Sequence, residues 1–141
     1  MSIHWDQERM TTGVAEIDAQ HQELIRRFNE FHDAVVHAKG KDVVGKTLTF
    51  LGEYTMTHFA REEACMTAHR CPAAAANKTA HDEVRADLAR IKARIAKDGI
   101  NSIDVVQLEL ILGNWIRNHI ATIDVKLREC VGKPGGTAGT R

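Results

Sequence analysis

Four segments of this chain repeat apolar residues at the three- and four-residue spacing of an amphipathic α-helix. No part of the sequence has the pattern of a pair of β-strands. The signals that begin or end these segments are Lys39-Gly40, Cys65, Pro72, Asp98-Gly99, and Ser102 as the N-cap of the fourth segment. Consecutive helices joined by short connections pack side by side in alternating directions. The pattern therefore predicts an all-α, up-down-up-down four-helix bundle.

The length of 141 residues suits one domain with one apolar core. We place this domain at residues 1–131 and expect the glycine-rich residues 132–141 to form a disordered tail. Lysine plus arginine equals aspartate plus glutamate at 19 each, which argues against nucleic acid or an anionic membrane as a partner. No outward apolar stripe is evident, so we expect a monomer.

Two features of the sequence indicate a cytoplasmic protein. No apolar run is long enough to cross a bilayer, and residues 1–10 lack the apolar core of a signal peptide. The cysteines, Cys65, Cys71 and Cys130, are odd in number and loosely spaced, which is typical of free thiols in a reducing compartment. A zinc site built on Cys65, His69 and Cys71 would lack a fourth ligand at suitable spacing.

Side chains that can bind metals occupy inward positions on all four predicted helices. They are His21, His58, Glu62, His81, His119 and Asp124. Burying four imidazoles and two carboxylates costs free energy unless these groups are paired or bind a cation. Two carboxylates among four histidines most simply imply a pair of metal ions bridged by the carboxylates. Iron, manganese and zinc all accept this set of ligands.

The spacing of these residues also predicts local geometry. His58 and Glu62 are four residues apart and therefore share one helix face. His119 and Asp124 are five apart, which in a regular helix separates them by about 140°. A site that uses both needs a local widening such as a π-helical turn, or a long reach by one side chain. The remaining histidines, expected at the surface, are His4, His32, His37 and His69.

An ordered set of motifs extends from Trp5 to Cys130. It comprises Trp5, Gly13-Val14, Ile17-Asp18-Ala19-Gln20-His21, His58-Phe59-Ala60-Arg61-Glu62-Glu63, Met66, Pro72, His81, Trp115, His119-Ile120 and Asp124. In this order the motifs resemble those of the bacterial hemerythrins, a family of non-haem di-iron four-helix bundles that bind oxygen. The resemblance implies a carrier, store or supplier of O2 with two iron ions bridged by an oxo or hydroxo group.

The resemblance also implies a role for each site residue. One iron would be held by His21 and His58, the other by His81 and His119, and both would be bridged by Glu62 and Asp124. Trp115 and Ile116 would form the apolar wall of the oxygen pocket.

Asn77 departs from the family pattern, which has a histidine four residues before His81. Four outcomes are open: Asn77 binds metal weakly through its oxygen, it holds a water on the metal, the metal beside it is more open or loosely bound, or Asn77 has no metal bond. A more open metal would favour a di-iron oxidase, a peroxidase or a protein that handles nitric oxide. A metal-storage bundle is a further alternative. We expect oxygen binding over enzymatic activity, because no side chain outside the ligand set reads as a dedicated acid or base.

Overall fold

The computed structural model describes residues 2–132, and these residues form helices without any strand. The helices are α1 (Gln7–Met10), α2 (Ala15–Val36), α3 (Gly40–Tyr54), α4 (Ala60–Ala68), α5 (Ala74–Asp98), α6 (Ser102–Asn114) and α7 (Leu127–Gly132). A π-helical turn, Thr55–Phe59, joins α3 to α4 as one continuous rod, and a second, Trp115–Ile120, extends α6. The four long helical stretches confirm the predicted all-α bundle.

The connections between the long helices are short and depend on a few particular residues. Gly99 has a φ of 80°, a left-handed conformation that glycine adopts at little cost, and it ends α5 as predicted. The N-cap of α6 is Asn101 rather than the predicted Ser102, because the Asn101 and Asp104 side chains each accept a backbone N–H in a capping box. A Cβ added to Gly40 would lie 2.7 Å from Val105 Cγ1, so glycine lets α3 approach α6 closely.

The apolar residues form two groups. The larger one fills the bundle between α2, α3, α5 and α6, and its most deeply buried side chains include Leu24, Phe28, Phe31, Val44, Leu108, Ile116 and Ile120. The smaller one, which we call the C-terminal cluster, consists of Ile17, Met66, Cys71, Ala73 and Leu127. It packs α7 against α2, α4 and the start of α5. The sequence analysis did not predict α7 or this cluster.

Two of the three cysteines are joined, so the prediction of free thiols is wrong for them. Cys71 and Cys130 form a disulfide with a Cα–Cα distance of 5.5 Å, while Cys65 remains free. The two residues lie 59 positions apart in sequence, and only the packing of α7 beside the start of α5 brings them together. The large separation of these two cysteines in sequence therefore did not mean that they are far apart in the fold. The argument from cysteine spacing for a reducing, cytoplasmic compartment does not hold.

The outer face of α6 is the other departure from expectation. Ile103, Val106 and Leu110 follow helical spacing and are each more than half exposed, so an outward apolar stripe is present. The stripe was not evident from the sequence because α6 is apolar around most of its circumference. Within residues 2–132, no helix is long and apolar enough to span a membrane. The predicted tail lies outside the described residues, except for Gly132, which ends α7.

Candidate metal centre

The six predicted ligand residues meet in the interior of the bundle. His21 comes from α2, His81 from α5, and Asp124 from the segment that follows α6. All six side chains are buried, and His119, at 6% exposure, is the most accessible of them. Their ligand atoms form two groups, each lying within 4.8 Å: His21, His58 and Glu62 in one, and Glu62, His81, His119 and Asp124 in the other. Glu62 belongs to both groups.

Irregular helical geometry brings several of these side chains inward. His119 lies in the π-helical turn Trp115–Ile120, and a short 3-10 segment, Asp124–Lys126, follows it. The wider turn and the change of helix type bring His119 and Asp124 together although they are five residues apart in sequence. This is the local widening of the helix that the spacing predicted as one of two possibilities. The π-helical turn Thr55–Phe59 carries His58 and was not predicted. No periodic signal in the sequence marks it.

The Glu62 carboxylate turns its two oxygens toward different histidines. Oε2 lies 3.1 Å from His21 Nε2 and 3.6 Å from His58 Nε2. Oε1 lies 3.0 Å from His81 Nε2. One carboxylate thus faces histidines of α2 and the α3–α4 rod on one side and of α5 on the other.

Asp124 also turns its two oxygens toward different histidines. Its Oδ2 lies 3.2 Å from His21 Nε2, and its Oδ1 lies 2.8 Å from His119 Nε2. Each carboxylate therefore spans both groups of histidines. We call these groups the His21–His58 side and the His81–His119 side.

Hydrogen bonds outside the ligand set orient two of the rings. His58 Nδ1 donates to Gln20 Oε1 at 2.5 Å, and His81 Nδ1 donates to Glu63 Oε2 at 2.6 Å. Arg85 Nη2 in turn donates to the same Glu63 oxygen at 3.2 Å. With Nδ1 protonated, the neutral rings present an unprotonated Nε2 to the site, as metal-binding histidines usually do. Gln20 and Glu63 were noted only as parts of motifs, and no sequence signal assigned them this role.

Several buried polar atoms in this site make no hydrogen bond within residues 2–132. They are His21 Nδ1, Glu62 Oε1, Asn77 Nδ2, His81 Nε2 and both carboxylate oxygens of Asp124. Buried carboxylate oxygens without donors are costly, and so are imidazole lone pairs that face them. A cation beside the Glu62 and Asp124 oxygens and His81 Nε2 would satisfy both kinds of group at once. The residues therefore fit a metal centre.

The pKa values follow from burial and from the close packing of opposite charges. Burial lowers the pKa of His58 to about 3, so this ring is neutral at physiological pH. Burial also lowers the pKa of His21, but the close carboxylates of Asp124 and Glu62 outweigh it and raise this pKa to about 10. Burial raises the pKa of Asp124, yet the close imidazoles of His119 and His21 outweigh it and hold the pKa of this carboxyl well below its ordinary value.

Aromatic rings cover the His81–His119 side. Trp115 stacks on His119 with ring centroids 3.7 Å apart, and Phe59 stacks on His81 at 3.8 Å. Ile116 is completely buried in the larger apolar core. A surface groove between α5 and the second π-helical turn reaches Trp115 and His119. Phe59, which the sequence analysis gave no role, thus contributes to the apolar wall beside the site.

Asn77 lies at the edge of the same side. Its side chain is completely buried, and Oδ1 lies 2.8 Å from His119 Nε2. The four histidines predicted to lie at the surface are outside the site: His4 and His37 are exposed, whereas His32 and His69 are half-buried. His32 pairs with Glu109.

Comparison with known proteins agrees with this geometry. The model of the hemerythrin HHE cation-binding domain matches residues 12–129. A bacteriohemerythrin of Stenotrophomonas maltophilia is 31% identical over 115 residues, which cover 81% of this chain and 72% of the relative. A bacteriohemerythrin of Methylococcus capsulatus is 28% identical over 130 residues, covering 90% and 95% respectively. No solved structure matches the chain. The extent of the domain match and the cluster of cation ligands together show that this chain belongs to the hemerythrin family.

Proposed function

We propose that the chain binds O2 reversibly at a non-haem di-iron centre, as an oxygen carrier, store or supplier. The observation that carries the proposal is the orientation of Glu62 and Asp124, each with one oxygen toward either side of the site. A carboxylate with its oxygens divided in this way suits two cations better than one. The likeness to bacteriohemerythrins supports the same centre.

Iron is the metal that best combines with this set of ligands and this function. Neutral imidazole nitrogens and carboxylate oxygens suit ferrous and ferric ions. Held by these residues, two iron ions with an oxo or hydroxo bridge would supply reversible two-electron chemistry toward O2.

The chain's own residues would position the metals and restrict access of water. Gln20 and Glu63 hold the rings of His58 and His81 by hydrogen bonds. The stacked rings of Trp115 and Phe59 cover part of the His81–His119 side and would restrict the access of water to it. Keeping water out of the site would protect bound oxygen from protonation and from loss as peroxide.

Asn77 favours a second candidate function. An amide oxygen is a poorer metal ligand than an imidazole, so the ion beside Asn77 would be more open to small molecules. Such a centre would suit a di-iron oxidase, a peroxidase or a nitric oxide-handling enzyme. Sustained turnover of peroxide or nitric oxide would favour this candidate over reversible oxygen binding.

The test is to load the protein with ferrous iron without oxygen and then record the visible spectrum through repeated cycles of O2 and argon. We expect an absorption band that appears with O2 and disappears under argon over several cycles. Irreversible conversion to the ferric form in the first cycle would contradict reversible binding. The variant Glu53→Gln, which changes an exposed carboxylate of α3, is the matched control.

A further inference from the structure

We propose that Asn77 binds the cation on the His81–His119 side through Oδ1, and that its Nδ2 group donates a hydrogen bond to a small anion bound to the same cation. This inference rests on the two-ion centre proposed above. It assigns to the chain a small-anion site that depends on an amide side chain.

The position of Asn77 supports the first half of the proposal. Asn77 precedes His81 by one turn of α5 and shares its inward face. Its Oδ1 lies 2.8 Å from His119 Nε2, the same distance that separates His119 Nε2 from Asp124 Oδ1. Neighbouring ligands at right angles on one ion are about 3 Å apart when their bonds are about 2.1 Å long. Asn77 and Asp124 are therefore each spaced as a ligand adjacent to His119.

The other atom of the amide supports the second half. Asn77 Nδ2 is buried and has no hydrogen-bond partner within residues 2–132, although a buried N–H group is costly without an acceptor. A histidine bound through one ring nitrogen turns its other N–H away from the metal. A carboxamide carries its N–H group on the same carbon as its ligating oxygen, so this group can reach an anion on the neighbouring position.

The same 2.8 Å contact would be an ordinary hydrogen bond if His119 Nε2 carried a proton. The two interpretations differ once the site holds cations. If Asn77 is a ligand, its oxygen binds the second ion directly and its loss weakens the binding of that ion. If Asn77 is only a hydrogen-bond partner of His119, it contributes no atom to that ion. Cobalt(II) is a suitable probe because its visible bands report its ligands and it needs no oxygen.

The experiment titrates the full chain with cobalt(II) and then adds azide. We expect two ions per chain, bound in two steps, with azide shifting the visible bands. The first step loads the His21–His58 side, and the second loads the His81–His119 side, where an amide is a poorer ligand than an imidazole. Asn77→Leu should weaken the second step at least tenfold and leave the first unchanged. Asn77→Asp, which has the same shape, keeps the oxygen ligand and adds a charge, so it should tighten the second step. It also loses the amide donor, so it should weaken azide binding at least tenfold.

Asn114→Leu, at an exposed position of α6, is the matched control. Wild-type cobalt affinity and spectrum in Asn77→Leu would overturn the ligand role, and so would a weaker second step in Asn77→Asp. Unchanged azide binding in Asn77→Asp would overturn the donor role. Fewer than two cobalt ions on the wild-type chain would overturn the two-ion centre itself, and the inference with it.

Discussion

The two sides of the metal centre have nearly the same ligands but different surroundings. The His21–His58 side is supported by the neutral Gln20, whereas the His81–His119 side is supported by the charged pair of Glu63 and Arg85. The second side also has stacked aromatic rings, Asn77, and a groove that reaches His119. Similar donor atoms in different surroundings hold cations with different strengths. We therefore expect the two ions to differ in affinity.

The largest effect should come from removing the carboxylate shared by both sides. Glu62→Ala takes one oxygen from each ion and leaves two cations with less compensating charge. We expect loss of at least one ion per chain, measured by elemental analysis. Loss of a bound ion should lower the free energy of unfolding by roughly 4 kcal/mol when the free metal is 1,000 times its dissociation constant. Full metal loading of this variant would contradict the shared role of Glu62.

The disulfide should affect the two sides unequally. Cys71 precedes the helix that carries Asn77 and His81, and Cys130 follows Asp124, so the bond ties together segments of the His81–His119 side. Opening a loop of 59 residues should lower the free energy of unfolding by about 4 kcal/mol. Cys130→Ser should show this loss in chemical denaturation and should weaken the ion on the His81–His119 side first. Cys65→Ser is the control, since Cys65 is free.

Exchanging the outer hydrogen-bond partners should widen the difference in metal affinity between the two sides. Glu63→Gln keeps an acceptor for His81 Nδ1 but removes its charge, which should weaken the ion on that side about tenfold. Gln20→Glu adds a charge behind His58 and should strengthen the other ion. Stepwise metal titration measures both. If Glu83→Gln, at an exposed position of α5, had the same effect as Glu63→Gln, the specific role of Glu63 would be wrong.

Proton release when an ion binds the His21–His58 side should give the smallest signal. Without a cation, His21 has a pKa of about 10 and carries a proton at neutral pH, so an ion must displace that proton to bind Nε2. His58 has a pKa of about 3 and releases none. Below pH 10, the affinity of the His21–His58 side should thus rise roughly tenfold per pH unit. Calorimetry in buffers of different ionisation enthalpy measures the released proton, and zero release would contradict the charged state of His21.

The helices and the convergence of the histidines could be predicted because both depend on periodicity. Inward positions on long amphipathic helices converge, so His21, His58, His81 and His119 could be placed together before the fold was known. The five-residue spacing of His119 and Asp124 predicted either a wider turn or a long reach by one side chain, and the structure has the wider turn.

Features that depend on tertiary packing could not be predicted in the same way. The disulfide of Cys71 and Cys130 requires α7 to pack beside the start of α5, and local sequence does not encode that contact. The hydrogen bonds of Gln20 and Glu63 depend on side chains from different helices. The π-helical turn at His58 could not be predicted from residue spacing, because the four-residue spacing of His58 and Glu62 already fits a regular α-helix.

The most direct test of the central claim is the number of irons per chain and their magnetic coupling after loading and oxidation. Elemental analysis gives the count, and electron paramagnetic resonance with Mössbauer spectroscopy gives the coupling. The orientation of Glu62 and Asp124 predicts two ferric ions per chain. The proposed oxo or hydroxo bridge predicts that their spins cancel, so that the oxidised protein gives no resonance signal. One iron per chain, or two with the signal of isolated high-spin ferric ions, would contradict a carboxylate-bridged pair.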